Sequence, residues 1–117
     1  MSRYSGAGWE RAAAEYLAGR GAEILARNYR RGRGEIDLVA RMDGAVVFVE
    51  VKQRATGAYG SPGSAVTRSK QARICSAALY YLKEHKLLSE RIRFDVVEID
   101  PDGVRHIKSA FSYAGHP

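Results

Sequence analysis

Cysteine is almost missing from this 117-residue chain: Cys75 stands alone. One thiol can form neither an intrachain disulfide nor a cysteine-rich zinc cage. It suits a reducing compartment, so the expected location is cytoplasmic. Long apolar runs are missing as well. The stretch VVFVEV at 46–51 is strand-length and broken by Glu50, so no membrane span and no membrane partner are expected. The opening MSRYSGAGWE carries no apolar signal segment, and export is not expected. There is no internal repeat, linker or low-complexity block. Histidines 85, 106 and 116 fall at no metal-ligand spacing, and Cys75 has no neighbouring histidine to activate it as a nucleophile. The glycine-rich GAYGSPGSA at 57–65 lacks the Gly-Lys-Ser/Thr ending of a phosphate-binding loop.

What is present is a 45% hydrophobic composition, enough for one core in a single domain over 1–117, with 112–117 as a frayed tail. Acid is in deficit: 19 Lys+Arg against 13 Asp+Glu give a formal charge of +6. The bases group in YRRGR (29–33), KQR (52–54), TRSKQAR (67–73) and SERIR (89–93). Such an excess favours a polyanionic partner, held by phosphate contacts and counterion release. A merely solubilising surface is the alternative, and charge alone does not choose among DNA, RNA and other acidic partners.

Periodicity predicts a helix over 6–19, with Ser5 as a cap, Trp9, Ala12, Ala13, Tyr16 and Leu17 as its apolar stripe, and Gly19 and Gly21 ending it. A strand is expected over 22–30, and a hairpin over 34–52. Residues 55–65 read as a loop, and 66–85 as a helix burying Val66, Ile74, Ala77, Ala78, Tyr81 and Leu82. Strands follow at 91–99 and 104–111, joined by Pro101-Asp102-Gly103. The order α-β-β-β-α-β-β predicts an α/β fold: one mixed sheet with helices against it, containing a parallel pair bridged by the second helix.

The hairpin carries the chemistry. If Asp43-Gly44 is a two-residue turn, opposed residues have numbers summing to 87. Asp37 then faces Glu50 and Glu35 faces Lys52, all on one side, with Ile36, Leu38, Val47, Val49 and Val51 on the other. Opposed carboxylates repel, and a divalent cation relieves the conflict. Hard oxygen donors suit Mg²⁺ or Mn²⁺, which take one or two carboxylates and keep waters. Lys52 could stabilise charge developing on a phosphoryl group. These are parts for metal-assisted phosphodiester hydrolysis. The plain alternative is an ordinary Glu–Lys surface pair worth about 0–1 kcal/mol.

The runs GEIDLVA (34–40) and FVEVKQR (48–54) resemble the core of the PD-(D/E)xK nucleases. With Gly6–Glu10, ARNYR at 26–30, Val66 with Lys70, RFDVV at 93–97 and Ala110-Phe111, the chain is similar more closely to the YraN family of small bacterial proteins. The resemblance implies a restriction endonuclease-like sheet flanked by helices. It implies Asp37, Glu50 and Lys52 as catalytic residues. It also implies a metal held by Glu10, Asp37, Glu50 and the carbonyl of Val51. Ile36 stands where the superfamily's name has proline. Gln53 follows Lys52 and could contact phosphate or water.

Arg54, Lys70 and Arg73 are candidates for phosphate contact if the second helix packs beside the hairpin, with a solvated helix surface as the alternative. Glu35 reads as an outer acid or a partner of Lys52, Asp95 as structural, and Tyr59 as a weak stacking candidate. The expected function is a metal-dependent nuclease acting on DNA, including branched or single-stranded forms in repair or recombination. A resolvase-like mode would imply a homodimer. The rivals are an inert nucleic-acid-binding module acting through a partner protein, and a scaffold for protein contacts.

Overall fold

The computed structural model describes residues 6–54 and 66–112. The elements are α1 (Gly6–Gly19), β1 (Glu23–Arg31), β2 (Gly34–Met42), β3 (Ala45–Gln53), α2 (Arg68–Glu84), β4 (Ile92–Asp100) and β5 (Gly103–Phe111). The expected order is the observed one. The expected cap Ser5, loop 55–65 with Tyr59, and residues 113–117 of the tail lie outside the described residues.

The five strands form one sheet in sequence order. Neighbours pair antiparallel except β3 and β4, which run parallel with α2 as the connection between them. Among the described residues no helix is long and apolar enough to cross a membrane.

Local chemistry sets the element ends. α1 stops where Gly21 turns left-handed at φ +94; there Ala22 N–H reaches Leu17 O and Gly21 N–H reaches Ala18 O, the Schellman pattern that glycine permits. Thr67 opens α2, its hydroxyl accepting from Lys70 N–H at 3.1 Å. Asp43 and Gly44 both have positive φ, 54° and 74°, the tight turn an Asp-Gly pair favours. Every β2–β3 pair, from Met42↔Ala45 to Leu38↔Val49, sums to 87 as expected.

Both faces of the sheet are covered. Trp9, Ala13, Ala14 and Leu17 of α1 pack on Leu38, Val47, Val49, Val97 and Ile99. Ile74, Ala77, Ala78, Tyr81 and Leu82 of α2 pack on Val39, Val46, Phe48, Phe94 and Val96. The face opposite Leu38 is therefore largely apolar; the carboxylates sit only at its open end. One expectation is corrected here. Ile36 packs with the α2 cluster and not beside Leu38, so strict alternation lapses at Asp37.

A buried polar node ties the far strands together. Asp95, fully buried, accepts from Arg93 Nε and Nη2 at 2.8 Å each, His106 Nε2 at 2.7 Å and Ser109 N–H at 3.0 Å. Arg93 Nη1 also reaches Asp43 at 2.9 Å, linking β4 to the β2–β3 turn. Burial would push the Asp95 carboxyl up; the donors from His106, Arg93 and Ser109 outweigh it and hold it below the ordinary value. Asp95 is structural, as read from the sequence. His106, which had no role there, is its partner.

α2 crosses the β1–β2 hairpin at Gly34. A Cβ there would lie 2.2 Å from the Arg73 carbonyl oxygen and 2.8 Å from Ala77 Cβ. Gly34→Ala is expected to lower stability by about 2–3 kcal/mol, read by urea unfolding. Gly103→Ala, whose Cβ would meet nothing within 4 Å, should stay within about 0.5 kcal/mol of wild type. Equal stabilities for the two variants would contradict the close helix–strand contact.

Candidate functional site

β2 and β3 separate beyond Leu38↔Val49. At that point Asp37 stands in for the missing rung: its Oδ2 accepts the Val51 N–H at 2.8 Å. The side chain is thereby fixed against β3, beside Glu50. Glu50 is buried, with 5% exposure. A cavity of about 420 Å³ opens over the pair. Trp9 and Glu10 of α1 form one wall; Arg33, Glu35 and Asp37 come from the β1–β2 hairpin. Glu50, Val51 and Gln53 come from β3, and Lys70, Arg73 and Ile74 from α2.

Two carboxyls so placed cannot both be ionised cheaply. Burial, and then the charge of Glu50, push the Asp37 carboxyl from 3.8 up to about 8, against the pull of the Val51 N–H. The hydrogen bond with Glu50 and the charge of Glu10 raise it further. Burial beside Glu50 therefore biases Asp37 toward its protonated form. Lys70 Nζ forms an ion pair with Glu50 Oε2.

The expected residues divide. Asp37, Glu50, Val51, Glu10, Lys70 and Arg73 all border the cavity. Glu10 acts on Asp37 through its charge, but among the described residues no three His, Cys, Asp or Glu side chains gather as a ready-made metal group. Lys52, half-buried on β3, is not among the lining residues.

The expected Glu35–Lys52 pairing is corrected. Glu35 is opposed by Arg30 of β1 and bonded to its Nε at 3.0 Å, because β3 has already turned away. Arg54 is held elsewhere too. Its Nε and Nη2 donate to Asp100 Oδ2 at 3.0 and 2.6 Å, with Glu98 3.8 Å away. Asp100 can grip it because its other oxygen already closes the β4–β5 turn.

Arg33 was not singled out from the sequence. The signal was available in the Gly32-Arg33 turn. Gly32 at φ +59 closes it, with Arg31 opposite Gly34, and the next opposed pair is Arg30↔Glu35. The same counting that located Glu50 from Asp43-Gly44 would have set Arg33 at the mouth of the site.

The model of the uncharacterised protein family UPF0102 matches residues 9–99. A UPF0102 protein of Symbiobacterium thermophilum is 48% identical over 116 residues, covering 95% of this chain and 98% of its own. One from Lachnoclostridium phytofermentans is 50% identical over 107 residues, 91% of each chain. One from Clostridioides difficile is 40% identical over 104 residues, covering 87% of this chain and 91% of its own. All the site residues described above lie within the matched span.

The raised Asp37 carboxyl has a consequence for stability without metal. Between pH 3.8 and about 8 the folded protein keeps a proton that the unfolded chain releases. This group therefore lowers stability progressively as pH rises through that window, and no further above it. Asp37→Asn removes the effect. The variant should match wild type near pH 4 and exceed it by about 1–3 kcal/mol at pH 8, measured by urea unfolding in a metal chelator. A difference that does not grow with pH would contradict the shared-proton geometry.

Proposed function

We propose that this protein, which belongs to the uncharacterised protein family UPF0102, is a metal-dependent nuclease that hydrolyses phosphodiester bonds in DNA. The membership agrees with the YraN likeness of the sequence; kinship with the PD-(D/E)xK nucleases is part of the proposal. The observation that carries it is the pair Asp37 and Glu50, pressed together at the floor of a cavity bordered by Arg33, Lys70 and Arg73.

The donors fit Mg²⁺ or Mn²⁺. Both acids offer hard oxygens, their mutual repulsion is relieved by a divalent charge, and the cavity leaves room for the waters such ions retain. Asp37, Glu50 and the Val51 carbonyl would hold the ion, and Glu10, which borders the same cavity, would complete its shell. When bound, the ion would polarise a phosphoryl oxygen and lower the pKa of a water.

The remaining work falls to the chain. Asp37 must release its proton on loading. The Val51 N–H keeps its carboxylate aimed at β3 meanwhile. Arg33 and Arg73 supply guanidinium groups suited to phosphate oxygens. Gln53 can orient a water or phosphate oxygen. Lys52 enters on the resemblance and on its position two residues past Glu50, on the same face of β3 by alternation. A resolvase-like reaction on branched DNA would add a homodimer presenting two such sites.

One observation favours a second reading. The acid pair already has partners within the chain: the Lys70 ammonium on Glu50, and the hydrogen bond between Asp37 and Glu50. A catalytically inert DNA-binding module could keep it that way. Cleavage assays separate the two readings. With Mg²⁺ or Mn²⁺, wild type should cut at least one of a panel of nicked, flapped, junction and single-stranded DNAs. Asp37→Ala and Glu50→Ala should each lose about 10³-fold or more while remaining folded. Arg54→Ala, tied to Asp100, should change the rate by no more than about threefold. An intact panel, with salt-sensitive binding that persists in both carboxylate variants, would select the inert module.

A further inference from the structure

Lys70 differs from the other cations of the cavity. Its backbone is pinned in the first turn of α2 by the Thr67 cap, and α2 is seated on the hairpin at Gly34. Its side chain is 38% exposed, yet its ammonium is spent on Glu50, which is 5% exposed. Arg33 and Arg73 border the same cavity with no ion-pair partner among the described residues. One ammonium thus lies against the acid pair, and two arginines border the same cavity.

A divalent ion at Glu50 and the Lys70 ammonium at Glu50 repel each other at a few ångströms in a partly desolvated site. They compete for one carboxylate. The four-carbon stem of lysine lets the ammonium swing away while its Cα stays fixed. We infer that Lys70 takes the cation's electrostatic place on Glu50 and surrenders it on metal binding, turning its ammonium to a phosphate held beside Arg33 and Arg73. This rests on reading Asp37 and Glu50 as the metal site. Metal uptake then creates the third member of an anion-binding set. By linkage, metal and phosphodiester strengthen each other's binding by the same factor.

Calorimetric Mn²⁺ titrations without nucleic acid test the first half, on wild type, Lys70→Gln and Lys70→Arg, with circular dichroism to verify folding. Lys70→Gln should bind Mn²⁺ roughly tenfold more tightly, because a competing charge is gone. Lys70→Arg should stay within about threefold of wild type. Equal or weaker binding by Lys70→Gln overturns the inference alone. No uptake by either wild type or Lys70→Gln removes the metal-site reading together with it.

The second half is read in a chelator, where no cleavage occurs, by fluorescence anisotropy of a labelled single-stranded oligonucleotide. Lys70→Gln should weaken binding by less than about twofold in wild type, where the ammonium is engaged, and by roughly fivefold or more in the Glu50→Gln background, where it is free. The same loss in both backgrounds overturns the proposed exchange.

Discussion

A carboxyl group held against a second carboxyl at the end of a sheet must be neutralised by a proton, an ammonium or a metal ion. Asp37 and Glu50 are in that position because β2 and β3 part beyond Leu38↔Val49 and Asp37 takes the Val51 N–H as a substitute rung. The rest of the molecule serves this placement. α1 and α2 close opposite faces of the sheet, so the strands are packed on both sides up to the point where they diverge. Gly34 lets α2 approach the hairpin closely enough for Lys70 and Arg73 to border the pair. The Asp95 node anchors the other end, through Arg93, to the turn at Asp43. A turn with a fixed register at one end therefore sets which side chains meet at the other.

Much of this was legible in the sequence, for physical reasons that can be named. Asp-Gly favours a two-residue turn because both positions need positive φ, and the turn then fixes the register for the length of the ladder. From Asp43-Gly44 alone one can count to Leu38 opposite Val49, the last paired rung before Asp37 and Glu50. The helices were legible because Leu17 and Tyr81 recur with their neighbours at helical spacing. The parallel pair followed from a helix lying between two apolar strands. Family kinship was legible in ordered short motifs, and the UPF0102 match bears it out.

What failed did so where a strand stops behaving as a strand. Counting assumes an unbroken ladder, and it breaks at Asp37. Glu35 therefore meets Arg30 instead of Lys52, and Ile36 packs with α2. The destination of a long cation is also hidden from sequence, because it depends on which acid the folded chain leaves within reach. Arg54 found Asp100, 46 residues further along the chain and oriented by the β4–β5 turn, while Arg33 was carried to the cavity by a turn of its own. His106 met Asp95 across a bulged strand pair that local patterning does not reveal.

The proposed cation site rests on this acid pair, and direct observation of a divalent ion there is the decisive measurement. Anomalous diffraction from crystals grown with Mn²⁺ should show a peak roughly 2.0–2.3 Å from one oxygen of Asp37 and one of Glu50, with the Lys70 ammonium withdrawn. A structure determined under the same conditions with no peak there, and with Lys70 still paired to Glu50 and Asp37 still within hydrogen-bond distance of it, would contradict it.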